Sequence, residues 1–86
     1  MKHDQKILRE TILEIVDNQL RDNNPPETKA TYDRLINLGD DDKNAKMRIG
    51  QCVSIELFHV MKHKEMFNLE RYVNNLNKLP EEPFDN

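Results

Sequence analysis

The run Asp42-Lys43-Asn44-Ala45-Lys46-Met47-Arg48-Ile49-Gly50-Gln51-Cys52-Val53-Ser54-Ile55-Glu56-Leu57-Phe58-His59-Val60-Met61-Lys62-His63 decides the fold. It contains no proline and no alternating strand pattern. At about 100° per residue, Ile49, Gly50, Val53, Leu57, Val60 and Met61 fall on one broad apolar arc, which Met47 and Phe58 extend. So broad an arc needs neighbours on more than one side. The run therefore predicts a central helix that touches every other helix of a small all-α bundle. Asp40, Asp41 and Asp42 at its start read as a helix N-terminus, where side-chain oxygens cap free amides and negative charge suits the dipole. A calcium loop is the sharper alternative, but its glycine and distal glutamate are missing at the required spacing. Lys62, His63 and Lys64 place positive charge at the other end.

Outward from this helix, the chain divides at its turn residues. Toward the N-terminus, Leu8, Ile12, Ile15, Val16 and Leu20 share a face, with Leu13 at its edge, over roughly residues 4–21. Asn23-Asn24-Pro25-Pro26 ends that helix, because proline disfavours helical geometry in the residue before it. The prolines suit the first turn of a second helix, and Asn24 with Glu27 has capping-box spacing. Its stripe is Tyr32, Leu35, Ile36 and Leu38, closed by Gly39 as a left-handed residue. Toward the C-terminus, Asn68 reads as an N-cap, with Phe67 and Tyr72 in hydrophobic-staple positions. Leu69, Tyr72, Val73, Leu76 and Leu79 form a narrow stripe that Pro80 stops. The fold class is thus all-α, a compact small bundle of four helices over residues 1–79. Residues 80–86, acidic and holding Pro80 and Pro83, form a tail expected to be disordered.

Composition narrows the function classes. Eighty-six residues make one domain, and a chain of this size buries only roughly 60–68% of its unfolded surface, which disfavours a deep internal active-site cavity. No apolar run reaches the ~18–20 residues of a membrane span, and the opening Met1-Lys2-His3-Asp4 lacks a signal-peptide core. A soluble, cytoplasmic chain with no membrane partner is expected. The single Cys52 excludes an internal disulfide framework. Net charge is −3, and Glu81, Glu82 and Asp85 alone supply that much. The remaining body is balanced and lacks the basic patch that neutralises phosphates, so nucleic acid is not expected as a partner.

Chemistry-bearing side chains gather in one place. Cys52, Glu56, His59 and His63 lie within about 60° of one another on the side of the central helix away from its apolar arc. Thiolate, carboxylate and imidazole are the ligands of zinc and related metals, and His59 with His63 at i, i+4 can chelate one ion. A stripe along a helix is a line, however. Cys52 and His63 are about 16 Å apart along the axis, so at most two or three of the four can share an ion. Glu56-x-x-His59 is half of a di-iron motif whose second half the chain lacks. Cys52 and His59 sit about 10 Å apart, beyond the ~2.6–3.2 Å at which a base activates a thiol. The two glycines, Gly39 and Gly50, make no phosphate loop. No catalytic residue, no cofactor and no enzymatic activity are expected.

The plain reading of this side is a solvated polar face. Ile55 on it is unexplained unless a helix, a second subunit or a partner covers it, which nominates Ile55, His59 and Cys52 as a partner surface. The functional expectation is a non-enzymatic protein-interaction or regulatory helical module, with a protein partner or self-association supplementing a small core. The alternative is a metal-binding or metal-sensing domain using His59, His63, Glu56 and Cys52.

From about residue 20 to 80, the chain resembles a group of short bacterial helical domains of uncharacterised function. The residues that carry the likeness are Asn24-Pro25-Pro26-Glu27-Thr28, Leu35, Gly39, Ala45, Ile49-Gly50, Glu56, Phe67, Arg71-Tyr72 and Leu79-Pro80. These are mostly caps, turns and core positions. The resemblance implies a fold and supplies no reaction.

Overall fold

The computed structural model describes residues 2–81, with side chains described from Lys6 onward. The tail expected to be disordered therefore lies, beyond Glu81, outside the described residues. Four helices follow one another: α1 Lys2–Asp22, α2 Pro26–Asn37, α3 Asp42–His63 and α4 Leu69–Lys78. Among the described residues there is no strand, and no helix is long and apolar enough to cross a membrane. The expected four-helix all-α architecture is the observed one.

Local chemistry explains most of the boundaries. Gly39 at φ +113° closes α2: its N–H donates to the Ile36 carbonyl at 3.0 Å, and the Asp40 N–H reaches back to the Leu35 carbonyl at 3.0 Å. Those are the two bonds of a Schellman ending. Asp41 caps α3, accepting from the Asn44 N–H at 2.8 Å. Its neighbours are also engaged, Asp40 by Arg48 at 2.8 Å and Asp42 by the Tyr32 hydroxyl at 2.7 Å. Asn68 caps α4 through the Arg71 N–H at 3.0 Å, and the Phe67 and Tyr72 rings meet edge to face at 5.2 Å, the expected staple.

One cap differs. Asn24 does not form a capping box with Glu27; the N-cap of α2 is Pro25, with no side-chain cap. Asn23 takes a left-handed φ of 52°, and the Asn24 N–H turns back to the Gln19 carbonyl at 3.1 Å. The same geometry that ends α2 ends α1, so Asn24 is consumed in stopping one helix rather than starting the next.

Helices α2 and α3 form the central pair, each packing on both α1 and α4. Helices α1 and α3 run antiparallel: Lys46 pairs with Asp17 at 2.9 Å, and one turn farther on Gly50 faces Ile12. The core holds Val16, Leu35, Ala45, Ile49, Cys52, Val53, Tyr72, Leu76 and Leu79. Within it, Gln19 Oε1 accepts from the Thr28 hydroxyl and from the Tyr72 hydroxyl, both at 2.7 Å, joining α1, α2 and α4. Burial pushes the Tyr72 hydroxyl up to about 12, so it stays a donor at any physiological pH. Arg34 donates to the Leu76 and Leu79 carbonyls at 2.9 and 2.6 Å, tying α2 to the C-terminal end of α4.

Two faces are rotated from expectation. In α2, Thr28, Thr31 and Leu35 point inward, while Ile36 and Leu38 are exposed. In α3, the buried residues are Ala45, Ile49, Gly50, Cys52, Val53 and Glu56, while Met47, Phe58 and Met61 of the expected core arc are exposed. α3 thus buries part of the side read as polar and exposes part of the side read as core.

Gly50 marks the closest approach of α1. A Cβ there would lie 3.0 Å from Ile12 Cγ2, tighter than ordinary van der Waals contact. Gly50→Leu is expected to destabilise the fold by ~1–3 kcal/mol, lowering the melting temperature by roughly 4–8 °C per kcal/mol. Thermal unfolding followed by circular dichroism measures it, and an unchanged midpoint would mean that α1 does not cross α3 at this position.

Candidate functional site

The Cys-Glu-His-His ladder of α3 does not remain a ladder in the folded chain. Cys52 and Glu56 are fully buried, His59 is 13% exposed at its side chain, and His63 is exposed. Cys52 faces the core, its Sγ 3.9 Å from the Arg48 carbonyl, and burial pushes its thiol up to about 12. A neutral, enclosed thiol is a packing group, neither a nucleophile nor a ligand. Cys52 therefore does not lie on the partner surface expected from sequence; it is enclosed in the core with Tyr72 and Leu76 of α4.

Glu56 is committed to α4. Its Oε2 accepts from Arg71 Nε at 2.6 Å, and its Oε1 accepts from Arg71 Nη2 at 3.0 Å and from the Asn68 backbone N–H at 2.9 Å. Burial alone pushes this carboxyl upward, but the guanidinium and the amide outweigh burial and hold it below its ordinary value of 4.5. In a capping box, the third helical residue returns a carboxylate to the N-cap N–H. Here that third residue is Arg71, and Glu56 of α3 supplies the carboxylate from outside, with Arg71 neutralising it.

His59 and His63 do come together, with ring centroids 5.4 Å apart, and Phe58 stands edge-on to both at 5.7 and 5.8 Å. Both ring nitrogens of His59 are buried without a hydrogen-bond partner, and the nearest acid is Glu65, 3.9 Å from Nδ1. His59 packs as a ring against Phe58 and His63 rather than presenting a polar edge to a partner. Among the described residues, no three His, Cys, Asp or Glu side chains are grouped so as to hold an ion. The four ladder residues are thus divided between core, ion pair and surface.

The concave feature lies on the opposite side of α3. An apolar trough of about 660 Å³ opens between the N-terminal half of α1 and the C-terminal half of α3, lined by Leu8, Ile12, Ser54, Ile55, Leu57, Phe58, Met61 and Lys62. A smaller hollow of about 230 Å³ continues it past Leu8, Ile12 and Ser54 to Leu13, Met47 and Gly50. Leu8, Met47, Phe58 and Met61 stand 47%, 41%, 43% and 72% exposed along this surface. The Lys62 ammonium sits 5.3 Å over the Phe58 ring, a cation on an aromatic face at the rim. Ile55, the apolar residue that looked misplaced in sequence, lines this trough.

The helical periodicity places Leu8, Phe58 and Met61 in the core, and it gives no sign of the role of Arg71. The signal that could have found the trough is the width of the α3 arc: neighbours buried on one flank leave the other uncovered. No known protein family, curated protein or solved structure matches this chain.

The Glu56 pair sets an acid limb of stability. A carboxyl held below its unfolded value contributes fully above about 4.5, and the contribution is lost as pH falls through the lower folded value. Chemical denaturation is expected to show stability level from neutral pH to about 5, then falling. In Glu56→Gln, stability should start lower and fall less steeply below about 4.5; an acid limb as steep as the original would assign it to other carboxyls.

Proposed function

We propose that this chain is a non-enzymatic protein-interaction module whose docking surface is the apolar trough between α1 and α3. The observation that carries the reading is the exposure of Leu8, Met47, Phe58 and Met61 on one continuous concave surface. With roughly 200 Å² for each whole residue, these four leave on the order of 400 Å² of apolar area in water, at the level where exposed patches on monomers are often functional. Single exposed hydrophobes need no explanation; four around one hollow do. Arg9, Gln51 and Lys62 supply the few polar groups at the rim.

The metal-binding alternative loses support, because Cys52 and Glu56 are occupied in the fold and only His59 and His63 remain near one another. The mixed charge of the body supports a protein partner over nucleic acid. A bacterial, cytoplasmic setting belongs to the same proposal; it follows from the resemblance to short bacterial helical domains and from a single thiol that needs no oxidising compartment.

A surface kept apolar for binding adds little to the stability of the free chain. Phe58→Lys combined with Met61→Lys is expected to change unfolding free energy by no more than roughly 0.5 kcal/mol. The same variant should lose most of the fluorescence that the native chain induces in the apolar dye ANS at micromolar concentration. A loss of more than about 2 kcal/mol, in the range of core truncations, would make these residues packing groups and overturn the reading.

A further inference from the structure

We infer that the occupant of the α1/α3 trough is a second copy of this chain, docked about a two-fold axis so that two antiparallel α1/α3 pairs face each other. The inference rests on the docking reading and names its partner.

Three features of the structure point to a copy of itself. The first is shape. A two-fold interface uses the same patch on both subunits, so every projection needs a hollow within that patch. Phe58 and Met61 project beside a trough whose deeper lining includes the half-buried Ile12 and Ser54. Projection and hollow are neighbours on one surface, and each copy can place its Phe58 and Met61 in the trough of the other.

The second is area. A standard interface buries about 800 Å² per partner, and homodimer interfaces are about 65% apolar, which asks for roughly 500 Å² of apolar surface on each side. The four exposed residues supply on the order of 400 Å², and the half-buried Ile12, Leu13, Ile55 and Leu57 around them bring the total to that requirement. The match is to the apolar content of one side of a dimer.

The third is the size of the core. Among the described residues the core comprises nine buried hydrophobic side chains, which leaves the fold with stability to gain from association.

Light scattering and sedimentation equilibrium from micromolar to millimolar concentration test this on the full chain. The wild type should show twice the 10.2 kDa chain mass, falling toward 10.2 kDa on dilution. Met61→Glu, at a residue too exposed to support the fold, should weaken dimerisation roughly 30-fold or more, while Asn74→Lys on α4 leaves it intact. If Met61→Glu does not fold, isotope-filtered NOEs between labelled and unlabelled wild-type chains decide: contacts from Met61 or Leu8 methyls to the partner's Phe58 ring are required. A mass of 10.2 kDa throughout, with ANS still bound at the trough, would overturn the dimer and leave the docking reading standing. A monomer that also binds no dye would sink both. A dimer indifferent to Met61→Glu and without those NOEs would place the interface elsewhere and likewise overturn the inference.

Discussion

A carboxylate without access to water must find a cation or several N–H donors, and Glu56 meets that demand in only one way. It takes two bonds from Arg71 and one from the Asn68 amide, all at the first turn of α4. The start of α4 is thereby pinned to the middle of α3, and α3 must turn Cys52 and Glu56 inward to make the contact. The other side of α3 is then turned outward. A buried pair of this kind adds little net stability over well-packed apolar groups, because desolvation offsets much of the attraction. Its larger effect here is on orientation: an α3 rotated to bury Met61 would carry Glu56 away from the first turn of α4 and forfeit all three of its hydrogen bonds.

The rotation shapes everything beyond α4. With Ala45, Ile49, Cys52, Val53 and Glu56 committed to the core, α1 meets α3 along its flank, close enough at Gly50 that no larger residue fits without displacing Ile12. The C-terminal half of α3 leaves Phe58 and Met61 uncovered beside Leu8. Fold and proposed function therefore divide one helix between them. One side specifies how the four helices assemble, and the other carries the apolar surface from which an interaction role is proposed.

Helix existence and most ends were legible because local chemistry sets them: Gly39 ends α2 with a positive φ, Asp41 and Asn68 accept the first free amides of α3 and α4, and Pro80 follows the last turn. What local chemistry does not encode is which part of a broad apolar arc finds a neighbour. Cys52, Glu56 and His59 read as a polar face by residue type, yet all three are mostly enclosed; for Glu56 this is possible because Arg71, fifteen residues later, supplies its counter-charge. Nothing in the spacing of a single helix announces that pairing. The same holds for Thr28, whose hydroxyl is core-compatible only because Gln19 and Tyr72 from two other helices meet it. Asn24 failed as a cap for a related reason: the left-handed Asn23 before it had already committed its amide to α1. Of the candidate site, Ile55 was legible as an apolar residue out of place, whereas the trough it lines depends on the antiparallel register of α1 and α3.

The Glu56–Arg71 pair, rather than the apolar arc, sets the rotation of α3. A double-mutant cycle on Glu56→Gln and Arg71→Met measures it most directly by equilibrium denaturation at neutral pH. Arg71→Met is expected to destabilise by about 3 kcal/mol or more, since it leaves the buried Glu56 carboxylate without its cation; Glu56→Gln is expected to destabilise as well, and the double change to cost far less than the sum of the two. Additive losses, with coupling near zero, would contradict it and return the orientation of α3 to its apolar residues alone.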